Sequence, residues 1–113
     1  MHELSIAMSI VELAVEEARK NNATVIQKVD VEIGTLSGVE TEALQFAWDV
    51  AIQETDAKDA TLEIHVIPAE ARCLQCGTSF PAGHFFVQCP ECQGYRYDII
   101  KGKELKIRSL LVE

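Results

Sequence analysis

The chain has 113 residues and carries 10 Lys and Arg against 18 Asp and Glu, a formal net charge of −8 at pH 7. That length fits one domain, or one domain bearing a small module, and 33 Leu, Ile, Val and Phe residues exclude an intrinsically disordered chain. The acidic balance argues against phosphate-backbone binding as the main task, and no apolar run approaches the ~20 residues of a membrane span.

Leu4 to Lys20 reads as a helix. Leu4, Met8, Val11, Val15 and Ala18 recur at helical spacing, widened by Ile6, Ile10, Leu13 and Ala14. Glu16 and Lys20 stand i,i+4 on the polar side. Asn21-Asn22 is a stop signal, since Asn tolerates the left-handed conformation. Residues 25–33 alternate, with Val29, Val31 and Ile33 on one face and Asp30 and Glu32 on the other, which predicts a half-buried strand. After a loop at Gly34 to Gly38, Ser37 and Glu40 match a capping box opening a second helix over about 39–54. Ala43, Leu44, Ala47, Trp48 and Ala51 form its apolar stripe. Leu62, Ile64 and Val66 against Glu63 and His65 give a second strand, closed by Pro68. Leu105, Ile107 and Leu111 form a last strand after a turn at Gly102.

Between those last two strands lies a segment of different character. Residues 1–70 hold 4 basic and 14 acidic side chains, whereas residues 71–113 hold 6 and 4, and all four cysteines fall between 73 and 92. The shift near Pro68 to Arg72 marks a boundary between a main domain and an inserted module. The expected class is α+β: a three-stranded mixed sheet with two helices on one face, plus an inserted four-cysteine zinc-ribbon module. The other sheet face, with Asp30, Glu32, Glu63 and His65, is expected to meet water. No role is assigned to His65.

The N-terminus, Met1-His2-Glu3-Leu4, has no basic region and no small-residue cleavage site, so a cytoplasmic location is expected. In that compartment cysteines point to metal before disulfide. Cys73-Leu74-Gln75-Cys76 and Cys89-Pro90-Glu91-Cys92 form two CxxC knuckles, and Gly77 and Gly94 supply the backbone freedom such turns need. Four thiolates complete a tetrahedron that suits zinc and leaves no open position, so the site reads as structural. Iron in a rubredoxin-like site is the alternative on ligands alone. His84 lies between the knuckles, either as a loop histidine or as a further ligand. Phe80, Phe85, Phe86, Tyr95 and Tyr97 read as packing for the module.

The second sharp feature is His2. Methionine excision requires a small second residue, so Met1 is expected to stay. The Met1 amine, the His2 amide nitrogen and His2 Nδ1 can then close successive chelate rings on one ion. Three nitrogens in a plane suit nickel(II) or copper(II), not zinc. The amine must lose its proton, from a reference pKa of about 7.7–8.0, and the positive end of the first helix eases that loss. A histidine at position 2 does not mark a metal site by itself.

Met1-His2-Glu3-Leu4-Ser5, then Ile33-Gly34-Thr35-Leu36-Ser37-Gly38-Val39-Glu40, the two knuckles and Glu104-Leu105-Lys106-Ile107 together resemble the hydrogenase-maturation nickel metallochaperone family (HypA/HybF). The resemblance runs end to end. It implies transported Ni(II) at Met1, His2 and Glu3, with Glu40 in an outer role, and structural Zn(II) at Cys73, Cys76, Cys89 and Cys92. Residues 1–70 and 98–113 would then be the nickel-binding domain and 71–97 the zinc-binding domain. The implied partners are the large subunit of nickel–iron hydrogenase, a GTPase accessory protein of hydrogenase maturation and, in some organisms, urease accessory proteins. Neither nucleic acid nor membrane is among them, and the chain is expected as a monomer or homodimer. A zinc-ribbon adaptor without a second metal also accounts for the cysteines but leaves His2 unexplained. With no nucleophile elbow, Gly-rich phosphate loop or HExxH, no enzymatic activity is expected.

Overall fold

The structure is a computed structural model that describes residues 2–83 and 88–113. The elements run α1 (Glu3–Lys20), β1 (Ile26–Gly34), α2 (Thr41–Ala51), β2 (Thr61–Ile67), β3 (Glu70–Cys73), β4 (Ser79–Pro81), β5 (Tyr97–Lys101) and β6 (Leu105–Val112). They form two three-stranded sheets, ordered β2-β1-β6 and β4-β3-β5. In the first, β1 is central, parallel to β2 and antiparallel to β6. The α+β class with a mixed sheet is therefore realised, and no helix among the described residues is long and apolar enough to cross a membrane.

Helix α1 ends as its sequence predicts. Asn22 adopts φ 60° and the Ala23 N–H returns to the Ala18 carbonyl at 2.9 Å. Lys20 Nζ lies 3.7 Å from Glu16. The buried stripe differs from expectation: Ala7, Ile10, Val11, Ala14 and Ala18 are buried in the first core, while Leu4, Met8 and Leu13 are exposed. Small alanines on the contact line let the helix sit close, and the larger side chains flank it. In α2, Leu44 and Trp48 are buried and the Trp48 indole donates to the Ala60 carbonyl at 3.0 Å, so the ring enters the core with its polar atom satisfied. Val29, Val31, Ile33 and Leu62 complete this core from the sheet.

The expected capping box does not form. Glu40, not Ser37, is the N-cap of α2. The Ser37 hydroxyl instead accepts the Val39 N–H at 3.2 Å, and the Glu40 N–H goes to the Glu3 carboxylate at 3.1 Å. The loop closes its own turn and leaves α2 to be capped from α1.

The other sheet face also differs from expectation, because a carboxylate on the central strand has neighbours on both sides. Asp30 is only 7% exposed. It accepts hydrogen bonds from His65 Nε2 at 2.8 Å and the Ser109 hydroxyl at 3.0 Å. An ionised carboxylate only accepts, so His65 carries its proton on Nε2. His65, given no role in the sequence reading, thus ties β2 to β1. These bonds, that from His65 first, hold the Asp30 carboxyl below its ordinary value of 3.8. A depressed carboxyl stabilises the fold above its unfolded pKa, and that contribution is lost as pH falls through the folded value. Asp30→Asn is expected to be less stable than the native chain at pH 6, with the gap closing below about pH 4. Urea denaturation across that range measures it, and a pH-independent gap would refute the assignment.

Candidate metal centres

Two groups of ligand-type side chains come together among the described residues: Cys73, Cys76, Cys89 and Cys92, and the trio Asp30, Glu63 and His65. In the trio the protein supplies its own cation. Lys28 Nζ lies 3.1 Å from Glu63 and 3.7 Å from Asp30.

The cysteine cluster is built from two turns of one design. In the first, the Gly77 N–H donates to the Cys73 carbonyl and the Cys73 N–H to the Thr78 carbonyl. In the second, the Gln93 N–H donates to the Cys89 carbonyl and the Cys89 N–H to the Gly94 carbonyl. Each turn needs one left-handed residue, four positions after its first cysteine. Gly77 fills that place with φ 78°, and Gln93 fills it with φ 62°. The expectation for Gly77 is met. Gly94 is not the residue that turns the second knuckle, and its lack of a side chain has a different cause.

All four cysteines are free thiols. Cys73 Sγ lies 3.5 Å from Cys92 Sγ, and Cys76 Sγ lies 3.5 Å from Cys89 Sγ. A tetrahedral ion bonded to sulfur at about 2.3 Å requires sulfur–sulfur edges of about 3.8 Å. These two edges are within a few tenths of an ångström of that figure, all four sulfurs lie within 4.8 Å of one another, and the all-sulfur donor set suits zinc. Cys73 and Cys89 are buried, while Cys76 and Cys92 are exposed. The Thr78 hydroxyl and N–H beside Cys76 lower its thiol to about 6.

The cluster is seated on a second small core of Ala69, Ala71, Cys73, Phe80, Ala82 and Cys89. Phe80 meets Tyr97 edge-on at 6.3 Å. Tyr95, expected to pack there, is 68% exposed instead, because it follows the second knuckle before β5 begins. His84, Phe85 and Phe86 lie outside the described residues. Leu36, from the loop after β1, packs on this second core. The same loop is pinned to the chain on either side of the module. The Leu36 N–H donates to the Gly102 carbonyl at 2.6 Å, and the Ala69 N–H to the Thr35 hydroxyl at 3.1 Å.

At the N-terminus, Met1 lies outside the described residues. His2 is exposed and is the N-cap of α1, its carbonyl accepting the Ile6 N–H at 3.1 Å while its side chain makes no cap hydrogen bond. The Glu3 carboxylate is held below its ordinary range, chiefly by the Glu40 N–H. Residues 2, 3 and 40 thus meet at one place, and Glu40 reaches Glu3 through its backbone. The sequence reading missed Gln75 and Thr78, both within hydrogen-bond reach of the cluster sulfurs. Their positions beside Cys76 were visible, but the direction of their side chains was not.

Comparison with known proteins agrees with this architecture. The family model described as HypA, hydrogenase/urease nickel incorporation, metallochaperone, matches residues 1–112. The hydrogenase maturation factor HypA of Parabacteroides distasonis is 45% identical over all of this chain and 98% of its own length. That of Chlorobaculum parvum is 40% identical over the whole of both chains. The solution structure of the Ni metallochaperone HypA from Helicobacter pylori superposes with a TM-score of 0.72 at 31% identity, covering 99% of this chain and 97% of that one. With Glu3 bonded to the N-cap residue of the second helix, a four-cysteine cluster and a family match from end to end, the chain belongs to the HypA family of nickel metallochaperones for hydrogenase maturation, which are maturation factors rather than enzymes.

Proposed function

We propose that this chain binds Ni(II) through Met1, His2 and Glu3 and passes it to the large subunit of nickel–iron hydrogenase, acting with a GTPase accessory protein. Zinc in the cysteine cluster serves as the structural metal. The observation that carries the reading is the state of the first helical turn. The first N–H groups of a helix have no intrahelical partner, and the first bond of α1 is that of Ile6 to His2. The amides of His2 and Glu3 therefore lose no helical hydrogen bond when a metal takes their nitrogens. The Glu3 side chain is engaged by Glu40, which leaves the backbone nitrogen as its contribution. A site made of terminal residues, with His2 exposed, exchanges ligands readily, as delivery requires and storage does not.

The test is a nickel titration of the untagged, zinc-loaded chain by calorimetry with absorption spectra. The native chain is expected to bind tightly with a planar nickel spectrum. His2→Ala should lose more than about 100-fold in affinity, beyond the 10- to 100-fold typical of losing an outer partner, with zinc content unchanged. Extending the N-terminus by one residue moves the amine and should be as damaging. Equal affinity in the three proteins would overturn the site. Copper(II) should outcompete nickel at these nitrogens, so selectivity rests on supply and partners.

A further inference from the structure

Gly94 has no side chain for a reason its backbone does not explain. The left-handed position of its knuckle is taken by Gln93, and Gly94 is not among the residues of positive φ. A Cβ at Gly94 would collide with the carboxamide of Gln75, from the opposite knuckle, and would stand 3.4 Å from Cys92 Sγ. The space left by Gly94 is filled by Gln75, whose Oε1 lies 3.7 Å from Cys92 Sγ. The Gln75 N–H also points at Cys73 Sγ, at 3.4 Å. One residue therefore touches a buried and an exposed sulfur of the same cluster.

When a metal occupies the cluster, all four sulfurs are thiolates and can only accept hydrogen bonds. The Gln75 oxygen cannot then face Cys92. The two ends of a carboxamide are nearly the same shape, so a half-turn presents Nε2–H in the same space. Cys76, the other exposed sulfur, has the Thr78 hydroxyl at 3.3 Å as its side-chain partner. Each exposed cysteine thus has beside it one side chain that can turn a donor to the sulfur once it is a thiolate.

We infer that Gln75 closes the metal site on its exposed side: its Nε2–H donates to the Cys92 thiolate, and Gly94 exists to admit it. Gln75 is a positioning residue that slows metal loss and attack through Cys92. This rests on the reading of the cluster as a resident metal site. Outer partners of metal ligands typically change affinity 10- to 100-fold.

The experiment uses the full zinc-loaded chain, with transfer of zinc to excess 4-(2-pyridylazo)resorcinol followed by absorbance. Gln75→Ala and Gln75→Leu are both expected to release zinc about 10-fold faster or more. Gly94→Ala, which expels the carboxamide, should match them, and the Gln75→Ala/Gly94→Ala double variant should be no faster than Gln75→Ala. In cobalt(II)-loaded Gln75→Leu, the thiolate-to-metal charge-transfer band should move to lower energy, since the sulfur has lost a donor. A fold-only role would leave that band in place. Gln75→Leu releasing zinc at the native rate, or a band that does not move, would overturn the hydrogen bond. A native chain that forms no tetrahedral cobalt–thiolate spectrum would overturn the metal-site reading itself, an outcome distinct from failure of Gln75 alone.

Discussion

Removing the metal from the cysteine cluster, or replacing Cys73 by Ala, is expected to unfold the cysteine module while the helical half stays folded. The second core consists of three alanines, two of the four cysteines and Phe80, with Leu36, Tyr97 and Ile99 at its edge. Apart from Phe80, those buried residues are alanines or cluster cysteines with little area to offer, so chain packing alone cannot hold the segment. Structural zinc supplies about 10–16 kcal/mol in comparable small modules. Losing one buried ligand forfeits most of that. The chain carries its own reporters for the two halves. Trp48 is the single tryptophan and lies in the first core, whereas Phe80 and Tyr97 lie in the second. Addition of a strong chelator should abolish the aromatic circular dichroism of the module and leave Trp48 fluorescence in place. Simultaneous loss of both signals would mean that the two cores fold as one unit, and would refute the division into residues 1–70 with 98–113 and residues 71–97.

Gly34→Ala is expected to be the most damaging substitution that touches neither a ligand nor a large core side chain. A Cβ on Gly34 would overlap the backbone carbonyl of Gly102 and lie 2.6 Å from the Lys103 nitrogen. Gly102 in turn sits at φ 116°, where a Cβ would be 2.7 Å from the Ala69 Cα. The end of β1, the turn before β6 and the entry to the module are thus stacked backbone on backbone. No flexible side chain can give way, so the cost should reach about 3 kcal/mol, the upper part of the range for overpacking. For a domain of this size that lowers Tm by about 10 °C or more. A shift under about 3 °C in a thermal melt would show that the Gly102 turn yields freely. The same loop carries Leu36 into the module core and Glu40 to the N-terminus. The substitution should therefore also speed zinc release, a second readout in the same protein.

Much of this molecule was legible along the chain. The helix stop at Asn22, the Glu16–Lys20 pair, the alternating strands and the grip of each CxxC turn depend on residues within a few positions of one another. The helix-start signal at Ser37 failed for an instructive reason. A capping box competes with every other partner its donors can find, and the Glu3 carboxylate, 37 residues away, took the Glu40 N–H. The apolar stripe of α1 was misplaced by one flank because periodicity identifies a face but not which side chains fit beneath it. Leu13 and Met8 satisfy the period, yet it is Ala7 and Ala14 that are buried in the core.

By itself the sequence determined the four cysteines of the cluster, the α+β order of elements and the family, because these are written in local spacing and in motifs read end to end. Only the tertiary structure decided which strands are neighbours, and hence that Asp30 is enclosed by His65 and Ser109, 35 and 79 positions away. It likewise decided that Glu3 caps α2, that Gly34 meets Gly102, and that the space at Gly94 belongs to Gln75. Each of these contacts joins segments whose separation along the chain says nothing of their distance in space, so only packing fixes the partner and the direction of the side chain.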